Sequence, residues 1–361
     1  MNPTPSPSGS AALAVEEQSR IDFVLALRRR WADRLYPTLA DRARTASRDG
    51  RVVTTAVHED ALYPWFAWLE RGSQKMLWRA VTDAVRSVPE PEDLSPAAVT
   101  GSLALDDDLA LPDWYTSVDI HIQPGGIWRH DEQARVYELG AKLVMLGDND
   151  DYAFHDLFAA TAVPDRPYRR IVDLGCGFAK STRPFKRRFP EADVIGVDLS
   201  APVLRLGHRL AERSGVALDL RQGDATATGI AAGSVELVTA TMLIHEMPPP
   251  VLADLMSEAA RLLAPGGLVR ILDFHPTGDP VRDLAMREHG LRNNEPYLPM
   301  LFDTDLGQLA RDAGLVDARW VAFDERGVGR LDRLEWPERS EWHFPWAVFE
   351  ATQPGAGGAT S

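Results

Sequence analysis

From Arg169 onward the chain alternates short, continuously apolar runs with amphipathic stretches, and this alternation constrains the fold more than any other feature. Ile171-Val172-Asp173-Leu174, Val194–Asp198, Leu218–Asp224, Val235–Ala240 and Leu268–Phe274 have the length and β-branched content of strands. Between them lie segments with helical spacing. One starts near Ser200 and carries Val203, Leu204, Leu206 and Leu210; another runs from Pro249 to Leu263 and stops at Pro265-Gly266-Gly267. Strands joined by helices of about 10–15 residues must run parallel, because a crossover is needed to return the chain. Both faces of such a sheet are covered, and its strands are apolar throughout. The last two runs, Ala318–Phe323 and Trp346–Glu350, have no helix between them and are predicted to pair antiparallel at the sheet edge. Asp303 or Thr304 is predicted to cap a helix through Ala310. Residues 169–350 therefore read as one α/β domain.

The preceding third has a different texture. Over residues 15–112, Ile21, Val24, Leu25, Leu27, Trp31 and Leu35, then Leu62 through Val85, recur at three- and four-residue spacing and predict a helical region, a cap or a dimerisation element. Pro89, Pro91 and Pro96 mark a linker. Residues 113–168 read as a junction or lid: Ser117–Ile122 alternates like a short strand, Gln123-Pro124-Gly125-Gly126 turns, and helices are predicted from Asp131 to Leu146 and from Tyr152 to Ala160. Residues 1–14 and 351–361, rich in Pro, Ser, Gly and Ala, read as disordered tails.

Composition narrows the function classes. A net charge of −14 opposes a phosphate backbone, so no nucleic-acid partner is expected. The single cysteine, Cys176, excludes an intramolecular disulfide and a multi-cysteine zinc site. The first residues lack the basic and apolar blocks of a signal peptide, and no apolar run nears the ~18 residues that span a bilayer. A cytoplasmic chain with no membrane partner is expected.

The chemistry centres on Asp173-Leu174-Gly175-Cys176-Gly177-Phe178-Ala179, between the first strand and a helix. Ligands of open α/β sheets bind beyond the carboxyl ends of the strands, where this loop lies. Its glycines let backbone approach a ligand, and the helix N-terminus behind them offers unpaired N–H groups. A dinucleotide loop would carry a third glycine where Lys180 stands, and Asp173 would repel a pyrophosphate. A carboxylate there suits an ammonium group. Asp198 ends the second strand, placed for ribose hydroxyls, and Gly223-Asp224-Ala225 ends the third, placed for an adenine edge. The set describes a pocket for an adenosine bearing an amino acid.

These motifs, in order, resemble the class I S-adenosylmethionine-dependent methyltransferases. DLGCGFA is similar to that family's acidic glycine loop, VIGVDLS to its second motif, QGDATATG to its third, VELVTATMLIHEMP to its fourth strand and exit, and LLAPGGLVRILDF to the turn into its fifth. The resemblance covers roughly half the chain. It implies a Rossmann-like α/β fold, a seven-stranded, mostly parallel sheet with an antiparallel last strand, here preceded by a mainly helical N-terminal region. It further implies S-adenosyl-L-methionine as cofactor, held by Asp173, Gly175, Cys176, Gly177 and Ala179 at the methionine end, Asp198 and Leu199 at the ribose, Asp224 and Ala225 at the adenine, and Thr241 and Met242 at the fourth-strand exit.

The acceptor side is less determined. His245 follows the fourth strand beside the expected sulfonium and is the candidate general base, with an ordinary pKa of ~6.5 suited to neutral pH. Glu246 orients that ring or caps the next helix. His121, Tyr137, His275, Asn293 and Tyr297 are candidate substrate contacts, the last two in a segment, Pro276–Met300, that reads as a specificity loop. His130 and His155 are secondary candidates. Asp119 with His121, or His121 with His130, lacks a third ligand, so no metal site is expected. Cys176 has no partner that would make it a nucleophile. The reading is methyl transfer to a small organic acceptor, O-methylation favoured over N- and C-methylation. The alternatives are cyclisation, decarboxylation or elimination on the same cofactor, a nicotinamide-dependent oxidoreductase, or a non-catalytic binding protein. A homodimer through the N-terminal helices is expected.

Overall fold

The computed structural model describes residues 13–88, 101–146 and 152–355. Most of both tails and Pro89, Pro91 and Pro96 lie outside the described residues. No helix among the described residues is long and apolar enough to cross a membrane.

The core is one sheet whose strands are β1 (Ser102–Ala104), β2 (Arg170–Leu174), β3 (Asp193–Asp198), β4 (Asp219–Gln222), β5 (Val235–Thr241), β6 (Leu263–Phe274), β7 (Val316–Asp324), β8 (Gly329–Arg330) and β9 (Trp346–Thr352). Their order is β1-β4-β3-β2-β5-β6-β9-β7-β8. All pairs from β1 to β6 are parallel; β6–β9, β9–β7 and β7–β8 are antiparallel. The α/β class, the parallel centre and the antiparallel end agree with the sequence reading. Nine strands stand where seven were expected, because two short edge segments join. The run at Ser102–Ala104 adds to β4, in register Ser102 to Asp219, and Gly329–Arg330 adds to β7. β9 continues to Thr352, and Gln353 N–H donates to Gly267 O at 2.8 Å, so the chain is ordered beyond the predicted start of the tail.

The helices are α1 (Val15–Arg30), α2 (Tyr36–Arg48), α3 (Val53–His58), α4 (Tyr63–Ser87), α5 (Asp113–Thr116), α6 (Asp131–Leu143), α7 (Ala153–Ala162), α8 (Thr182–Arg188), α9 (Ala201–Arg213), α10 (Pro249–Leu262), α11 (Pro280–Arg292), α12 (Leu298–Leu301) and α13 (Leu306–Asp312). A π-turn at Trp31–Leu35 carries α1 into α2. Ser200 caps α9 by accepting from Val203 N–H. The cap of α13 is Asp305, which accepts from Gln308 N–H at 2.9 Å; it lies one to two residues beyond the predicted Asp303 or Thr304. Pro276–Met300 is largely helical, not an open loop.

The N-terminal helices share the sheet's core. On one face, Trp31, Tyr36, Leu39 and Phe66 join Phe154, Phe158, Ile171, Leu237 and Trp346 in a single apolar cluster. The opposite face packs Val172, Ile195, Val238 and Ile271 against Leu252, Leu255 and Met256 of α10. α1, α4 and α6 form a third cluster around Leu77, Trp78 and Val136. Gly140 is what lets α6 lie this close to α4: a Cβ there would meet the Trp78 ring at 2.2 Å.

One local expectation fails. Ser117–Ile122 is not a strand: Ile120–Ile122 is a tight 3-10 turn, with His121 and Ile122 at φ 54 and 56. The alternation there has no neighbouring strand to pair with. Its backbone groups go to side chains instead: His121 O accepts from Trp78 Nε1 at 2.7 Å, and Asp119 O from Asn294 Nδ2 at 3.1 Å.

Candidate active site

Two cavities meet above the carboxyl ends of β2, β3 and β5. The first follows the glycine loop. Gly175 (φ 65), Gly177 (φ 53) and Ala179 (φ 61) turn the chain from β2 toward α8 through left-handed conformations, the last at the expense of strain in a residue with a Cβ. At Gly175 a Cβ would collide with Leu243 at 2.5 Å. The loop is tied down by Gly175 N–H to Val197 O (2.8 Å) and by Gly177 N–H to the Asp198 carboxylate (2.8 Å). The cleft together with its open mouth spans about 740 Å³. Of the predicted cofactor residues, Gly175, Cys176, Gly177, Asp198, Leu199, Asp224, Ala225, Thr241 and Met242 line it. Trp114, Tyr115 and Ile127 close it from the junction, and Lys180 lines it too. Sequence reasoning did not place Tyr115, Ile127 or Lys180 here.

Asp173 sits differently from expectation. It is fully buried behind the loop, and its Oδ2 accepts from Ser181 Oγ (2.7 Å) and Thr182 Oγ1 (2.6 Å). Its Oδ1 has no partner. Burial raises its carboxyl to about 6, against the lowering by the Ser181 and Thr182 hydroxyls. Asp198 is also raised to about 6 by burial, despite the N–H groups of Ser200 and Gly177. Half-buried Asp198 and buried Thr241, whose Oγ1 is unpartnered, line the cleft, and Asp173 Oδ1 lies unpartnered behind the loop. Ribose hydroxyls can donate to Asp198 and an ammonium group suits these acceptors, so the residues fit S-adenosylmethionine.

The second cavity encloses about 720 Å³ and shares Tyr137, Lys180, Met242 and Glu246 with the first. Met242 reaches it from a left-handed backbone (φ 56) at the end of β5. Its walls also include Arg28, Gln74, His121, His245, Phe274, Glu295 and Phe344. His245 is buried, and its Nδ1 lies 2.8 Å from Asp273 Oδ1. Asp273 is itself fixed by the N–H groups of Ile244 (2.9 Å) and Phe274 (2.7 Å). This leaves Nε2 of His245 toward the cavity, 3.8 Å from Glu246 Oε1. His121 lies between two carboxylates, Nδ1 2.7 Å from Glu295 and Nε2 3.0 Å from Glu246. Burial alone would lower its imidazole, but Glu295 and Glu246 overcome that and raise it to about 10. The expectation of no metal site weighed His121 only with Asp119 and His130; the structure instead brings His121 to His245 and Glu246.

Tyr137 stands at the junction of the cavities, its hydroxyl 3.1 Å from Lys180 Nζ. Burial lowers the Lys180 ammonium to about 8 against the raising by Glu246. Arg28 donates to Gln74, while its Nε has no partner. Asn293 lines a third, outer cavity of about 1110 Å³ that shares Arg28, Gln74 and His289 with the second. His275 and Tyr297 line none of the three: His275 bonds to Pro276 O and packs on Trp320. Cys176 is buried beside Gly196, and burial pushes its thiol well up.

Comparison with known proteins bears on this geometry. A family model described as a methyltransferase domain matches residues 171–267. A trans-aconitate 2-methyltransferase of Azoarcus sp. is 35% identical over 227 residues, covering 56% of this chain and 84% of that protein. A demethylmenaquinone methyltransferase of Thermus thermophilus is 32% identical over 139 residues, 38% of this chain and 62% of its own length. A trans-aconitate 2-methyltransferase of Deinococcus radiodurans is 33% identical over 111 residues, 30% of this chain and 39% of its own. The chain thus spans less than two thirds of the last two, and the Azoarcus protein is matched over most of its length. With the glycine loop, the strand-end acids and that match together, the chain belongs to the class I S-adenosylmethionine-dependent methyltransferases, and S-adenosylmethionine is its cofactor.

Proposed function

We propose that this chain transfers the methyl group of S-adenosylmethionine to a small organic acceptor seated in the second cavity. The observation that carries the reading is the shared wall: Tyr137, Lys180, Met242 and Glu246 border both cavities, so a ligand in each would meet there. When bound, the cofactor supplies a methyl carbon already activated by its sulfonium. The chain's task is to hold and align the acceptor, for which well-oriented pairs reach effective molarities of ~10⁵–10⁸ M.

The acceptor's nucleophile is a hydroxyl in this reading, and O-methylation follows. Asp273 holds His245 Nδ1, which leaves Nε2 to accept the hydroxyl proton. The Arg28 guanidinium, with an N–H to spare, supports an acceptor carrying a carboxylate or similar anionic group. Tyr137 and Lys180 bound the acceptor on the side of the cofactor. Relatives named for trans-aconitate and demethylmenaquinone support a small acceptor as the class. The homodimer remains part of the proposal, supported by exposed Phe23, Trp65 and Trp68 on the N-terminal helices.

The test is incubation with methyl-labelled cofactor and a panel of small hydroxy acids and phenols. Label in an ether or ester product, with S-adenosylhomocysteine released in equal amount, is expected. Turnover of the cofactor with no label in any acceptor would refute methyl transfer.

A further inference from the structure

The acceptor cavity holds a cluster that proton transfer uses only in part. His121, His245 and Glu246 each direct one ligand atom into a common space, and these atoms all lie within 4.8 Å of one another. Glu246 Oε1 is 3.0 Å from His121 Nε2 and 3.8 Å from His245 Nε2. Two donors bound cis to one ion at about 2.1 Å stand roughly 3.0–3.4 Å apart. These two pairs match that separation to within a few tenths of an ångström, and the two ring nitrogens, within 4.8 Å of each other, would close on the ion.

The far side of each ring supplies a second, independent observation. His121 Nδ1 is held by Glu295 at 2.7 Å and His245 Nδ1 by Asp273 at 2.8 Å. Both carboxylates are buried. A carboxylate on the outer nitrogen fixes the tautomer and aim of an imidazole, and metal-ligating histidines almost always have such a partner. Here both do. Three carboxylates therefore converge on two imidazoles, and a divalent cation would replace the proton that His121 Nε2 shares with Glu246 and balance the remaining charge. The residues come from separate elements: His121 from the strained turn before α6, His245 and Glu246 from the exit of β5, Glu295 from the turn after α11.

We propose that His121, His245 and Glu246 form a two-histidine, one-carboxylate site for a divalent first-row transition ion, oriented by Glu295 and Asp273, with open positions for an acceptor oxygen. Two imidazoles and one carboxylate are the donor set of such ions rather than of calcium or magnesium. The inference rests on reading this cavity as the acceptor site, and it gives His245 a ligand's part in place of a proton acceptor's. The ion would acidify a coordinated hydroxyl, whose proton leaves to water. The oxygen lone pair then forms the bond to the methyl carbon as the carbon–sulfur bond breaks and its electron pair stays on sulfur.

The experiment uses the full chain, stripped with a chelator and titrated with Co²⁺ as the probe, with Zn²⁺ as competitor. Uptake of one Co²⁺ per chain with ligand-field absorption, displaced by Zn²⁺, is expected. His121→Ala and Glu246→Ala should abolish the absorption, and Glu295→Gln should weaken binding about 10–100-fold. S-adenosylhomocysteine binding, followed by calorimetry, should stay within about twofold in His121→Ala and Glu295→Gln, neither of which borders the cofactor cleft, which shows that both have folded. Uptake below about a tenth of an equivalent, or equal uptake by His121→Ala, would overturn the site. If Co²⁺ binding fails while labelled methyl transfer persists in chelator, the metal inference falls and the proposed function stands. Loss of S-adenosylhomocysteine binding by the unaltered chain would instead bring down the reading of the first cavity.

Discussion

The two cavities are built in opposite ways. The cofactor cleft is drawn mainly from the ends of consecutive strands: Gly175, Cys176 and Gly177 after β2, Asp198 and Leu199 at the end of β3, Gly223–Ala225 after β4 and Thr241–Leu243 at the end of β5, with Trp114, Tyr115, Ile127 and Tyr137 of the junction closing it. The acceptor cavity takes Arg28 and Gln74 from the N-terminal helices, His121 and Tyr137 from the junction, Glu295 after α11, and Phe344 and Trp346 near the chain end. Parallel-sheet topology delivers the first automatically, since every βα connection emerges on the same side. The second depends on helices that fold over the top and bring distant segments together. The cofactor cleft is carried by the sheet itself, while the second cavity rests on what is laid across it.

This contrast can be broken or sharpened by experiment. The largest effect belongs to the second cavity. His245→Asn should lower kcat by about 10²–10⁴-fold, the usual contribution of a positioned acid–base or ligand group, with S-adenosylhomocysteine affinity unchanged. If both fall together, the cavities are not energetically separate. Next, Gly175→Val, which forces a β-branched residue into a left-handed turn against Leu243, should weaken S-adenosylhomocysteine binding by about 100-fold or more by calorimetry. Arg28→Met should raise KM for an anionic acceptor by about 10–100-fold, the worth of a charged hydrogen bond, and leave cofactor binding alone.

The smallest effect is a pH dependence confined to the cofactor cleft. Burial raises Asp173 and Asp198 to about 6 in the free protein. The charged forms are those that receive an ammonium group and ribose hydroxyls. Affinity is therefore complete above that value and lost as pH falls through it. Between pH 7 and pH 5, S-adenosylhomocysteine binding should weaken roughly tenfold for each carboxylate whose charged form the ligand requires. A flat profile would mean that neither carboxylate meets the ligand.

The same contrast explains what could be read from the chain. The cofactor half lies in short contiguous strings, so DLGCGFA, VIGVDLS and QGDATATG carry it nearly whole. Asp173 shows where even this stops: the string places it beside the ligand, but Ser181 and Thr182, at the very start of the next helix, turn one oxygen inward. The acceptor half has no string. Arg28, His121 and Glu295 are separated by most of the chain, and only tertiary folding makes them neighbours. Ser117–Ile122 alternates like a strand, yet Trp78 and Asn294 claim its carbonyls and bend it into the turn that presents His121. The edge strands Ser102–Ala104 and Gly329–Arg330 are too short for a period of two to register.

One feature of the sheet reaches beyond the site. Gly101 passes so near Leu218 that any side chain would strike its carbonyl, and the three residues after it cap the open side of β4. A recombinant chimera that grafts this acceptor roof onto a relative must therefore splice after Ala104, so that the edge strand travels with the roof. A junction placed earlier would leave raw hydrogen-bonding groups on the host's outermost strand and invite self-association of the hybrid.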